Sequence, residues 1–101
     1  MKYAKLVRDN IPEIIAKIGK IPVVHVARNE EYEQKLNEKL LEEVNEFLEN
    51  SDTEELADIL EVIYAICYLK GINKEKLEEI RKNKIEKRGG FDKKIILDEV
   101  K

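Results

Sequence analysis

Apolar residues recur at helical spacing between Glu30 and Glu49, where Tyr32, Leu36, Leu40, Leu41, Val44, Phe47 and Leu48 fall on one stripe. Asn50-Ser51-Asp52-Thr53 follows as a turn, with Ser51, Asp52 or Thr53 available to cap the next helix. So short a connection predicts an antiparallel helical hairpin. The second helix, over about Thr53 to Leu69, is unusual. Leu56, Ile59, Leu60, Ile63 and Cys67 make an ordinary stripe, but Val62, Tyr64, Ala65, Ile66, Tyr68 and Leu69 carry it almost all the way round. A helix that is apolar on nearly every face is buried on every face. A short chain has too little of its own to cover it, so the pattern predicts a homo-oligomer, a dimer in the first instance.

The flanks are shorter elements. Asp9-Asn10-Ile11-Pro12 reads as a helix start, with proline tolerated in the first turn. That helix runs to about Ile18, stops at Gly19 and is expected to bury Ile11, Ile14, Ile15 and Ile18. Residues 21–26, Ile-Pro-Val-Val-His-Val, are β-branched and predict a short strand. Its expected partner is Lys94-Ile95-Ile96-Leu97, beyond the Gly89-Gly90 break. Gly71 ends the second hairpin helix, and Asn73 caps a last one over about Lys74 to Lys87. Its stripe opens with Leu77 and Ile80, then continues as Arg81, Lys84 and Arg88. The expected fold is mainly α: an antiparallel helical bundle with a small two-stranded β element, completed by oligomerisation.

Candidate chemistry lies on the hairpin. Glu43 and Glu46 are spaced i,i+3 on its first arm, as are Glu55 and Asp58 on its second, so each pair leaves one side of its helix. Antiparallel packing would bring all four to a common point. Glu42 points nearly opposite, toward water. Glu43 and Glu46 taken alone read more readily as solvated surface than as ligands. Glu55 and Asp58, on a helix otherwise almost wholly apolar, are expensive to bury unless paired or metal-bound. Like charges that close raise each other's pKa or repel, and a divalent cation relieves this; all-oxygen ligation suits Mg²⁺ or Mn²⁺. Lys5, Arg8, Arg81, Lys84 and Arg88 form the complementary cationic set. Opposite an acidic metal site, such groups serve phosphate recognition, and Lys84 and Arg88 are the better placed by their helix face. Glu61 turns to the far side, beside Tyr64 and Tyr68, as a partner for a lysine or an interface residue. His25, the only histidine, reads as structural, and Cys67 as a small buried hydrophobe.

Composition narrows the classes. The chain of 101 residues reads as one domain, 1–101. Charged residues make up 41% of it, yet the net charge is only −3, which argues against a nucleic-acid polymer as partner. The lone cysteine fits a reducing cytoplasm, and neither a signal peptide nor a membrane span is expected. No Walker-type or dinucleotide glycine motif is present, nor the Glu-x-x-His repeats of a di-iron bundle.

The stretches EEVNEF and ELADILEVIYAI resemble the Glu-Glu-x-x-Glu and Glu-x-x-Asp signature of the MazG-like all-α nucleoside triphosphate pyrophosphohydrolases. KLVRDNIPEII and KRGGFDKKIIL resemble a small single-domain, phosphoribosyl-ATP pyrophosphohydrolase-like branch, so the resemblance covers nearly the whole chain. One departure is the spacing. Only residues 47–54 separate Glu46 from Glu55, a shorter loop than in the commonest form of the pattern. The resemblance implies hydrolysis of a nucleoside triphosphate between the α and β phosphorus atoms, giving a monophosphate and pyrophosphate, often to remove aberrant nucleotides. It implies Mg²⁺ held by Glu43, Glu46, Glu55 and Asp58, with a glutamate of the cluster, Glu43 or Glu46, in the catalytic role. Lys84 and Arg88, with Lys5 and Arg8, would bind phosphate, in a homodimer or homotetramer. Phosphoribosyl-ATP as the substrate, or a non-catalytic helical interaction module, are the alternatives.

Overall fold

The computed structural model describes residues 4–101, and within them the chain is all-helical. Four helices follow one another: α1 (Ile11–Lys17), α2 (Asn29–Asn50), α3 (Thr53–Leu69) and α4 (Lys74–Arg88). The two long ones pack together as the expected hairpin, and α4 makes a smaller contact with α3. Ser51 turns the chain between α2 and α3 in the left-handed conformation, φ 55°, its N–H donating to the Phe47 carbonyl at 2.7 Å. Asp52 then takes the N-cap position of α3 in extended backbone, without a side-chain cap bond. At the start of α4 the Asn73 side chain does cap, its Oδ1 accepting from the Lys76 N–H at 2.8 Å. No helix among the described residues is long and apolar enough to cross a membrane.

The sealed interior is small. Leu36, 1% exposed, is the most deeply buried apolar residue and lies on α2, and Val62 and Cys67 are the buried apolar residues of α3. Seven residues after Leu36, and so on nearly the same face of α2, comes Glu43, which is also buried. The seam therefore passes from hydrocarbon to carboxylate within two turns.

Three expectations are corrected. Among the described residues there is no strand: residues 21–26 and 94–97 run without ladder pairing. Val26 is 96% exposed and Ile95 78%. A lone two-stranded ribbon is marginal in water, and Pro22 removes one of its donors, so β propensity without a supporting sheet makes no strand. In α1, Ile11 and Ile15 are half-buried, but Ile14 and Ile18 are exposed, because this two-turn helix does not pack closely against any other helix. Glu42 does not point freely to water. It is half-buried, with Lys39 at 3.5 Å and Lys5 at 3.4 Å.

With so little apolar area sealed, each seam residue carries a large share of the stability. Leu36→Ala is expected to cost about 2–5 kcal/mol. Urea titration followed by helical circular dichroism checks this, and a loss well under that range would mean the seam is not the core.

Candidate functional site

The acidic end of the hairpin is built from both arms. Glu43 comes from the buried face of α2, one turn ahead of Glu46, and Glu55 and Asp58 come from the first two turns of α3. Burying an ionised carboxylate costs several kcal/mol unless it is paired. Glu43, 6% exposed, is only half paired: Lys39 Nζ lies 3.3 Å from its Oε1, while Oε2 is buried with no partner. Glu55 repeats the pattern, with Oε1 accepting from Asn50 Nδ2 at 2.9 Å and Oε2 buried and unpartnered. Asp58 is met by Arg8, whose Nη2 donates to Oδ1 at 2.6 Å.

Glu46, half-buried, titrates above the ordinary carboxylate range. The negative charge of Glu43 is the largest cause, followed by partial burial, the close approach of the Glu43 carboxyl, and the charges of Glu42 and Glu55. Glu46 thus senses carboxylates from both arms of the hairpin. Lys5, Arg8 and Lys39 oppose Glu42, Glu43, Glu46, Glu55 and Asp58, which leaves the group net negative.

A cleft of about 580 Å³ opens beside this group. Glu43, Asp58, Glu61, Lys39 and Arg8 line its charged part; Ile11, Ile14, Tyr32, Leu36, Val62 and Ala65 line its apolar part. The volume lies within the range of small-molecule sites. Glu61, expected on the far side of α3, in fact joins Asp58 on the cleft wall.

Of the residues singled out by sequence, Glu43, Glu46, Glu55, Asp58, Lys5 and Arg8 belong to this acidic end or its rim. Lys84 and Arg88 stand on the exposed part of α4, outside the cleft lining, and Arg81 is occupied by an ion pair with Glu78. His25 Nε2 lies 2.9 Å from Glu31 at the exposed start of α2 and takes no part. Lys39 and Asn50 escaped sequence reasoning. Lys39 lies i−4 from Glu43, a spacing that could have flagged it; Asn50 looked like a turn residue only.

The donor set is all oxygen, net negative, and contains two buried carboxylate oxygens without partners, which is chemistry that suits a hard divalent cation. The carboxylates are nevertheless held individually. Among the described residues no three Asp, Glu, His or Cys side chains are gathered closely enough to hold a metal ion. Lys39, Asn50 and Arg8 each hold one carboxylate in its own direction.

No family model and no solved structure matches the chain. A curated relative does: an uncharacterized protein of Mycolicibacterium smegmatis, 46% identical over 54 residues. The match covers 54% of this chain and 54% of that protein, so the chain aligns with about half the length of its relative.

The raised pKa of Glu46 has a sign that can be tested without metal. A carboxyl that holds its proton more tightly in the folded state favours folding as pH falls through its folded pKa, and its charge opposes folding above it. Glu46→Gln is therefore expected to raise Tm at neutral pH in the presence of a chelator. The gain should shrink as pH falls through the acid range and wild-type Glu46 takes up its own proton. A Tm lowered at neutral pH would refute the repulsion.

Proposed function

We propose that this protein is a divalent-metal-dependent nucleoside triphosphate pyrophosphohydrolase acting as a homo-oligomer. The observation that carries the proposal is Glu43: a carboxylate buried in the hairpin seam with one oxygen unpartnered, beside Glu46 and opposite Glu55 with its own orphaned oxygen. A seam built only for stability would place an aliphatic residue there. The likeness of EEVNEF and ELADILEVIYAI to the MazG-like signature supplies the reaction class.

On this reading Glu43, Glu46, Glu55 and Asp58 are the residues that would hold Mg²⁺, or Mn²⁺ in its place. The ion, when bound, neutralises phosphate charge and makes a water molecule easier to deprotonate. A glutamate of the cluster not fully engaged with the ion, Glu43 or Glu46, would take that proton. Arg8 and Lys5, on the rim, would donate to phosphate oxygens, whereas Lys84 and Arg88 lie outside the cleft lining. Water adds at phosphorus, the α–β anhydride bond breaks, and a monophosphate and pyrophosphate leave. Removal of aberrant nucleotides is the role that goes with such a reaction.

The oligomer is supported by what one chain leaves uncovered. Leu56 and Leu60 of α3 are about half exposed, Tyr68 is 87% exposed, and Leu41 and Leu48 of α2 are also open. So many open apolar side chains on two packed helices favour burial against a second copy.

Two measurements test these points. Pyrophosphate release from a panel of ordinary and damaged nucleoside triphosphates is expected to require Mg²⁺, to stop with EDTA, and to fall about a hundredfold or more in Glu46→Ala. If only phosphoribosyl-ATP is cleaved, the substrate assignment changes. If nothing is cleaved and Mg²⁺ leaves Tm unmoved, the chain is a helical interaction module. In sedimentation the wild type is expected at a multiple of its 11.8 kDa chain mass and Leu60→Glu at a lower multiple. A monomeric wild type would overturn the oligomer.

A further inference from the structure

We infer that residues 81–101 form an arm that docks on the acidic turn end of the α2–α3 hairpin in a second copy of this chain. The inference rests on the oligomer reading above, is independent of any metal, and names the surfaces that meet.

The arm covers nothing of its own chain. From Arg81 onward every residue is exposed, although the last two turns of α4 remain helical. The Cα radius of gyration is 18.0 Å, where a compact chain of this length has about 13 Å, so a substantial part of the chain stands away from the hairpin. Yet the arm does not have the composition of a free tail. Phe91, Ile95, Ile96, Leu97 and Val100 fall within ten positions, and Phe91 is 97% exposed. Segments that stay unfolded are poor in such residues, because they have little hydrocarbon to bury. An apolar arm with no surface in its own chain calls for one in another.

Charge decides which surface. Residues 82–94 carry six lysines and arginines against two carboxylates, a net +4 in a chain of net −3. Residues 42–61, around the hairpin turn, carry nine carboxylates and no lysine or arginine. Among the described residues no ion pair holds Lys84, Lys87, Arg88, Lys93 or Lys94. The same is true of the exposed carboxylates Glu49, Asp52, Glu54 and Glu61. Close to these in the chain, Leu48, Leu56 and Leu60 are open, so the turn end offers the arm both opposite charge and hydrocarbon. The other uncovered apolar stretch, residues 20–28, carries Lys20 and Arg28 and no carboxylate, so it would repel the arm. Exchanged between two copies the contact is reciprocal, arm on hairpin twice, which is the self-complementary arrangement of a two-fold dimer.

The test reverses charge on each surface and then mixes the products. Lys87→Glu with Lys93→Glu reverses the arm, and Glu49→Lys with Glu54→Lys reverses the hairpin; all four positions are exposed and none lines the cleft. In sedimentation at low salt each double variant alone is expected to assemble about a hundredfold more weakly than wild type, since like charges then face each other. An equimolar mixture of the two should regain the wild-type assembly, because in the mixed dimer both contacts are again of opposite sign. Misfolded chains would not recover on mixing, so the recovery cannot arise from damage to the fold. Wild-type assembly kept by both variants alone overturns the docking and leaves the oligomer standing. So do variants of unchanged helical circular dichroism that dissociate alone and stay apart when mixed. A monomeric wild type overturns the oligomer reading and the docking with it.

Discussion

The packing of α2 against α3 is the contact on which everything else in this chain depends, and it contains a contradiction. Its apolar part is ordinary: Leu36 buried on α2, Val62 and Cys67 buried on α3. One heptad further along α2, at the position where the same packing asks for another aliphatic residue, the chain places Glu43. Lys39 covers one of its oxygens and nothing covers the other. Replacing a buried ion pair by hydrocarbon is usually neutral or favourable. A chain with so small a sealed core thus gives up stability at the place where it can least spare it. Such local inconsistency is the ordinary mark of a functional position.

What could be read from sequence divides along a physical line. Features set by local chemistry were legible: the bounds of α3, the Asn73 cap, the turn at Ser51–Asp52, and the burial of Cys67. Each depends on residues within a turn or two. Features that depend on a distant partner were not. Residues 21–26 have the composition of a strand, but a strand is a relation between two segments, and among the described residues neither segment forms it. Glu42 looked solvent-facing on a helical wheel because a wheel knows nothing of Lys5 arriving from the N-terminal segment.

The acidic group shows the same division. The i,i+3 pairs were visible as spacing, and antiparallel packing does set the two pairs near one another, as Glu46 feeling both Glu43 and Glu55 attests. The depth of Glu43 was not visible, since with Glu46 alone it read as solvated surface. Nor was the way each carboxylate is held by a different neighbour: Asn50, Lys39 and Arg8 come from the turn, the preceding helical turn and the N-terminal segment. Spacing predicts which groups can approach, while the partners decide where each one points.

Two quantities in this chain are out of balance, and they differ in kind. One is apolar area: α3 and its flanks expose more hydrocarbon than a single chain can cover, and only another apolar surface relieves that. The other is charge: the carboxylates at the end of the hairpin outnumber the cations facing them, and only a cation relieves that. Neither partner can substitute for the other, because packing hydrocarbon against Glu43 would deepen its desolvation, and an ion does nothing for Tyr68. The exposed leucines of α3 and the orphaned oxygens of Glu43 and Glu55 nevertheless share one hairpin. Any partner that stiffens α3 against α2 also narrows the range over which those oxygens can wander. The proposed assembly and the proposed metal would in that sense be coupled through the α2–α3 seam, without a contact between them.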